Sequence, residues 1–461
     1  MQLLPGDKIL FQAGGVWSGT VGLKPKGNGT ITQPIVISSF GKGPKPVINV
    51  TEGNDNGLTL EGLSHWVISG LEFRSLNHNG VAVNGAQNAK VENIRIENIN
   101  AVNCSPHLGQ REFDHCGIRV GGHGKGYSLP KGSWFENIVI EGCVVDNCAV
   151  GIMIAGRGFD ETKPVNPLDS ISKNCHIRNC SASNISGDGI VIFCAADVSI
   201  EHSVCYNACR YNADKRATAG IWTWNVRNAV VRYCESYGHL TPGIDRNPFD
   251  SDYESYNSLF EYNYGHDCYG AAILMCAPRG TNDLSVFRYN VFKNCGMDST
   301  RESAFIKFYD CETNQRRYIY NNTFVGAPTY FMTSLKSEVF AYVFNNIFYY
   351  TGKLNYIPST PIQGFYTDVL KKDMHGYNLF FNITGIPSGT GNIFADPQFI
   401  DIYKTGIGFC DGLKVRKGSP VINKGLDLAK QGIGVESVGS SDYWGNQLPA
   451  GEGFDIGAQE Q

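Results

Sequence analysis

The sequence predicts an all-β chain wound into a stack of parallel coils, and three observations lead there. The composition is low in charge (18%) and rich in residues of turns and buried strands, with 54 Gly, 39 Asn, 25 Phe and 23 Tyr among 461 residues. Short strand-like words recur along the chain. The cysteines fall into columns with similar intervals, which marks a repeated unit.

The strand word is Gly followed by alternating apolar residues: Gly80 in GVAVNG, Gly117 in GIRVGG, Gly151 in GIMIAG, Gly189 in GIVIFC and Gly220 in GIWTWN. Period-two alternation is what a strand with one buried side requires. The bend word carries Cys143, Cys175, Cys205 and Cys234 at spacings of 32, 30 and 29, shadowed by Cys148, Cys180 and Cys209. In FEYNYGHD, FRYNVFKNC, IYNNTF and VFNNIF, Asn takes that place. Short Asn/Gly/Ser/Asp turns separate the words. Each repeat thus holds two or three short strands and no helix. Stacked at about 4.8 Å, such coils put like residues above like. Cys and Asn suit the inner bends, Cys as a compact apolar group and Asn through its amide. Most of the fifteen cysteines are therefore expected to be reduced ladder residues, with several disulfides as the alternative.

Lys and Arg (39) against Asp and Glu (43) leave a net charge of −4. That balance, with no basic block, argues against a nucleic-acid or anionic-membrane surface. No apolar run reaches the ~18 to 20 residues of a membrane span. There is no paired CxxC arrangement for zinc. The opening MQLLPGDKILF has no signal-peptide pattern and begins almost inside a strand. The expectation is a secreted or periplasmic protein whose leader is not in this chain, with its oligomeric state open.

These words resemble those of the right-handed parallel β-helix proteins of the pectate-lyase-like superfamily. The repeats cover roughly residues 30 to 395. The opening PGDKILFQAGGVWSG…PIVISSFGKGPKPVI is similar to the first coils of many bacterial members. The close NIFADPQF…LKVRKGSPVINKG…DYWGNQLPAGEGFDIGAQE resembles their C-terminal segment. The resemblance implies coils over 1–395 and a cap or extension over 396–461 packed on them. Asp442, Asp455 and Glu460 are then cap and turn residues. This fold hosts lyases, hydrolases, epimerases and adhesins, so the chemistry must come from a site.

If the apolar residues of each strand word point inward, the intervening ones form an outer file: Arg119, Met153, Val191 and Phe193, then Trp222 and Trp224. The next coil, GIDRNPFDSDYESYNSLFEYNYGHDCYG, is richest in chemistry. With Phe249 and Ser251 inward, Asp250 and Asp252 point outward about 6.5 to 7 Å apart. His266 and Asp267 are expected in a following loop, and Lys307, Tyr309 and Asp310 two coils on. Asp245 and Arg246 are candidate substrate contacts, with a structural ion pair as the alternative. Two exposed Trp rings beside paired carboxylates suit a sugar groove, since pyranose faces lie on aromatic rings. Neighbouring carboxylates titrate apart, which supplies an acid and a base. The alternatives are Trp rings beneath a loop, an Asp pair that caps a turn or holds calcium, a His266–Asp267 turn, and solvated Arg119 and Lys307.

The word FDSDYESYNSLFEYNYGHDCYGAAILMC also resembles a segment of bacterial β-helix proteins from carbohydrate-degradation systems. That resemblance implies catalytic roles for Asp250, Asp252 and Asp267. Gly122-His123-Gly124 matches a polygalacturonase tripeptide, but the paired-Asp and Arg-x-Lys words do not follow in order, so it reads as a turn. The DPH word of mannuronan epimerases is absent, and so are pectate-lyase arginine and calcium motifs.

The function expected is a glycoside hydrolase acting on a polysaccharide or oligosaccharide. Asp250, Asp252, Asp267 and His266 are its catalytic candidates. Trp222, Trp224, Asp245, Arg246, Arg119 and Lys307 are candidates to bind substrate. No cofactor is required, although calcium would fit. The alternatives are a polysaccharide lyase, with Lys307 or His266 as base and a cation to neutralise a uronate, and a non-catalytic glycan-binding β-helix.

Overall fold

The computed structural model describes residues 2–105, 115–122, 129–156, 171–211, 217–276, 284–309, 316–357 and 360–461. His123, Gly124 and Asp310 lie outside them. The chain forms a right-handed parallel β-helix in two compact units, Met1–Ala229 and Val230–Gln461.

In the first unit a coil has three strands, as in Val150–Ala155, Ser172–Arg178 and Ser181–Ser183. On one face Leu58, Val81, Ile118, Ile152 and Ile190 stack in register, as do Leu60, Val83, Val120, Ile154 and Ile192. All of these are buried. Ile94, Ile138, Cys175 and Val198 stack on the second face, and Ala101, Val145, Ala182 and Cys205 on the third. The inward files are the alternating apolar residues of the sequence words, so the predicted strand register is the observed one.

The recurring glycine has a steric cause. A Cβ on Gly151 would lie 2.1 Å from Gly189 O, and one on Gly189 would lie 2.4 Å from Gly220 O. Coils stacked this closely leave no room for a side chain there. The abundance of Asn is explained at the bends. Asn103, Asn147, Asn184 and Asn207 all take left-handed backbone angles, which Asn tolerates better than other residues with a Cβ. Their amides also bond along the stack: Asn147 Nδ2 donates to Asn103 Oδ1 (2.7 Å) and Asn207 Nδ2 to Asn184 Oδ1 (2.8 Å).

In the second unit an asparagine ladder continues one of the cysteine columns, starting where the N–H of Cys234 donates to Asn263 Oδ1 at 3.0 Å. The backbone N–H groups of Asn263, Asn290, Asn322 and Asn346 donate to Oδ1 of Asn290, Asn322, Asn346 and Asn378 in turn, at 2.9 to 3.0 Å. Beside it Phe292, Phe324, Phe348 and Phe380 stack inside the coils, with centroids 4.9 to 5.5 Å apart. The same strands turn Val291, Ile347 and Leu379 the other way. These pack against Phe399, Leu413, Val415, Val421 and Ile456 of the C-terminal segment. That segment is further tied down where Tyr262 Oη donates to Ser441 O and Arg288 Nη1 to Ser437 O. Asp442, Asp455 and Glu460 accept backbone N–H groups of Asn446, Asn423 and Asp455, as turn residues do.

All fourteen described cysteines are free and buried, in keeping with a ladder role.

Candidate functional site

The strand Phe249–Ser251 fixes the direction of Asp250. Phe249 meets Phe292 edge-on in the interior, and Ser251 Oγ shares a 3.1 Å hydrogen bond with Ser285 Oγ. Asp250 between them therefore faces outward. It stands opposite Leu274, which stands opposite Lys307 on the next coil. Asp250, Leu274 and Lys307 thus form one outer file spanning two coil spacings, about 10 Å.

Lys307 is fully buried. Its ammonium lies 2.8 Å from Asp245 Oδ1 and in close contact with Glu302 Oε2. The backbone N–H of Asp245 donates to the same Glu302 oxygen (3.1 Å), and Arg301 Nε approaches Glu302 Oε1 at 3.3 Å. Burial acts against the charge on Lys307. The carboxylates of Asp245 and Glu302 outweigh it and hold the group above its ordinary pKa.

Asp245 reaches Lys307 because the chain there is bent into consecutive left-handed residues, Asp245 (φ 68°) and Arg246 (φ 61°). Gly270 makes that approach possible, since a Cβ on it would lie 1.8 Å from Asp245 O. Arg246 is buried, with Nε donating to Thr241 O at 3.2 Å.

Asp252 is half-buried and accepts the N–H of Tyr253 on Oδ1 at 2.7 Å. The Cys276 thiol joins the three aspartates. It is pushed well above its ordinary pKa by burial first and then by the charges of Asp252, Asp250 and Asp245, and it hydrogen-bonds Asp252. Aromatic rings stand alongside. Tyr253 meets Tyr309 perpendicularly at 6.0 Å, and Tyr309 meets Phe365 at 5.8 Å. Phe365 also lies under Arg301 and near Lys307, its ring centroid 4.5 Å and 5.5 Å away. A hairpin carries it, Thr360–Ile362 against Phe365–Thr367, whose second strand pairs antiparallel with Tyr330–Ser334.

The structure therefore gathers Asp245, Asp250, Asp252 and Lys307 in the second unit and places His266 and Asp267 of that unit elsewhere. His266 and Asp267 are not in a loop. They belong to the strand Tyr264–Cys268 on another face of the coil. Asp267 is a left-handed corner residue (φ 51°), bonded by Asn294 Nδ2 at 3.0 Å, where other coils place Asn. His266 is enclosed by the rings of Tyr237 and Tyr264, with its nitrogens on Asp267 (2.7 Å) and Glu235 (3.0 Å). Burial lowers its pKa, but the two carboxylates prevail and raise it overall.

The exposed Trp file is also corrected. Trp222 points away from the coil interior as expected but is only 2% exposed. It packs on Phe193 at 4.8 Å, and its Nε1 donates to Asp188 Oδ1 at 3.1 Å. Met153, Val191 and Phe193 share that apolar cluster, against which Trp224 is partly buried. Arg119 is buried rather than solvated. Reading the sequence missed Glu302, Cys276 and Phe365. Glu302 lies on no strand word, and Phe365 arrives on a hairpin outside the repeat. Among the described residues no group of three or more His, Cys, Asp and Glu is placed to hold a metal ion. Nor is any described helix long and apolar enough to cross a membrane.

A family model described as "Right handed beta helix region" matches residues 168–324. Among solved structures, a GH136 lacto-N-biosidase from Eubacterium ramulus is similar at 20% identity and TM-score 0.58, over 70% of this chain and 59% of that one. Its selenomethionine form matches at 17% identity and TM-score 0.55, over 86% and 62%. The pectate lyase Pel9A aligns at 12% identity and TM-score 0.47, over 100% and 89%. This chain thus spans about three fifths of the lacto-N-biosidase chain, and likeness at these identities is likeness of fold. No curated protein matches.

Proposed function

We propose that the chain is a glycoside hydrolase whose acid and base are carboxylates of the cluster Asp245, Asp250 and Asp252. The observation that carries this reading is the outward Asp250 beside Asp252, with Asp245 held by buried Lys307. Glycoside cleavage needs one carboxyl group to protonate the leaving oxygen and a second to attack or to activate water. Asp245, fixed by its ion pair with Lys307, is assigned as base or nucleophile, and the pair on the neighbouring strand as the source of the proton. Tyr253 and Tyr309, both partly exposed, provide aromatic surface beside the carboxylates for a sugar ring, with buried Phe365 packed behind Tyr309. The lacto-N-biosidase likeness agrees with a carbohydrate substrate.

A lyase would require a neutral base, and the two candidates are poor ones. Two carboxylates beside each of Lys307 and His266 raise its pKa and so favour the protonated form over the free base.

The test is incubation with neutral and uronate-containing glycans, reading both reducing ends and the ultraviolet absorbance of unsaturated products. Reducing ends without that absorbance, lost in Asp252→Asn and Asp245→Asn, support the proposal. Unsaturated products refute it, and so does binding with no cleavage of any glycan.

A further inference from the structure

The first unit carries a cleft that the proposed reaction does not use. It has a volume of about 720 Å³ and lies on the outer side of the strands Leu58–Glu61 and Val81–Asn84. Thr59 and Glu61 alternate with inward Leu58 and Leu60, and Asn84 stands beside Glu61 in register. Residues 24–28 form a wall, anchored by parallel bridges of Leu23 to Leu58 and of Gln2 to Lys26.

We propose that this cleft is a second binding site, for a neutral saccharide unit, separate from the carboxylate cluster. Its volume falls within the roughly 300 to 1,000 Å³ of small-molecule sites. Its polar groups are fixed in advance. Asn56 Nδ2 donates to Thr59 Oγ1 at 2.9 Å, and Asn56 Oδ1 accepts from Asn79 Nδ2 at 2.8 Å. Asp55 Oδ2 accepts from Gly22 N–H at 3.1 Å and pairs with Lys24 at 2.9 Å.

Asn84 is the group that calls for a ligand. Its side chain lines the cleft but is only 2% exposed, and Nδ2 donates to Glu61 Oε2 at 3.1 Å. Among the described residues its Oδ1 has no hydrogen-bond partner. A buried acceptor left unpaired is destabilising, and a ligand hydroxyl would satisfy it. The charges select the ligand class. Lys24 and Lys26 balance Asp55 and Glu61, so the lining carries no net charge to favour a uronate or a cation. What remains is a set of fixed amide, hydroxyl and carboxylate groups, the pattern that adjacent sugar hydroxyls meet. Pro25 and Leu63 add apolar surface for the C–H face of a ring.

Calorimetric titration of the full chain tests this, in an Asp252→Asn background that removes the proposed turnover. Cellobiose, lactose and maltose are the neutral probes and digalacturonate the charged one. At least one neutral disaccharide should bind, and Asn84→Ala and Thr59→Val should each weaken it by about tenfold or more. Thr59→Val is nearly isosteric and keeps the measurement meaningful if Asn84→Ala melts early. Adding Asp250→Asn should leave this binding unchanged. The proposal is overturned if no neutral disaccharide binds, if binding survives both cleft variants, if Asp250→Asn abolishes it, or if only digalacturonate binds. Because no turnover is needed, the result stands apart from whether the chain is a hydrolase.

Discussion

The ammonium of Lys307 and the carboxylate of Asp245 lie 2.8 Å apart although 62 residues separate them in the chain. Two other facts make that contact possible, the missing side chain of Gly270 and the left-handed backbone at Asp245. Glu302 completes a buried triad of two anions and one cation. Removing one member of such a set leaves an uncompensated buried charge.

Lys307→Met should therefore destabilise the second unit by about 3 to 5 kcal/mol, the range for breaking a buried ion pair. The double variant Lys307→Met/Glu302→Gln should recover part of that loss, because one stranded carboxylate becomes neutral. Denaturant melts of the two variants check this. Equal stability of K307M and the parent would show that the triad contributes nothing.

Trp222→Ala should act on folding. The ring is buried against Phe193 and bonded to Asp188, so its removal leaves a cavity and should cost about 3 to 5 kcal/mol. Trp222→Phe should cost less, because a ring still fills most of the space and what is lost is the indole N–H bond to Asp188. Thermal melts monitored by circular dichroism rank the three proteins. A variant as stable as the parent would return Trp222 to the list of surface contacts.

Asn322→Leu should break the asparagine ladder at its middle. Asn290 would lose the acceptor of both its backbone N–H and its Nδ2, and Phe287 O would lose a donor. Each buried polar group left unmatched costs about 1 to 3 kcal/mol, so the shape similarity of Leu gives no protection. The readout is the midpoint of urea unfolding.

His375 should make the fold sensitive to acid. Burial pushes its pKa down to about 4, against the opposing pull of Asp373, and Nε2 is buried with no acceptor among the described residues. The ordinary value in an unfolded chain is about 6.5. Between those limits the unfolded chain binds the proton and the folded one does not, so stability is full above pH ~6.5 and falls toward pH ~4. Melting temperatures over this window should drop less in His375→Phe than in the parent. Parallel curves would remove His375 as the cause.

The features legible in the sequence are those that every coil must repeat. The Gly word reports a backbone approach that recurs at Gly151 and Gly189, and the Asn columns report bends and ladders that recur at each turn. Asp250 was legible for the same reason, since alternation around Phe249 and Ser251 fixes its side. What alternation cannot report is whether something lies across the outer face. Trp222 has the outward register of an exposed ring and the surroundings of a core residue. Asp267 takes a corner position that other coils give to Asn, a placement that its neighbour His266 does not reveal in the sequence. Glu302 and Phe365 come from segments outside the repeat, and only their final contacts with Lys307 reveal them.

The buried cysteines carry a consequence for the protein's chemistry in air. Cys143 and Cys180, Cys104 and Cys148, and Cys268 and Cys295 are hydrogen-bonded partners from successive coils. Burial keeps Cys143, Cys148 and Cys295 in the thiol form, which is a poor nucleophile, and although the bond with Cys143 draws the Cys180 thiol down, that group too is buried away from oxidants. That insulation lasts only as long as the winding. When a coil opens, thiolate becomes available with a second sulfur on the adjoining turn, and a cross-link formed there would fix the segment before it could rewind. Resistance to oxidation in this molecule is thus a property of its opening rate, and a heated or denatured sample should recover only if reductant is present while it refolds.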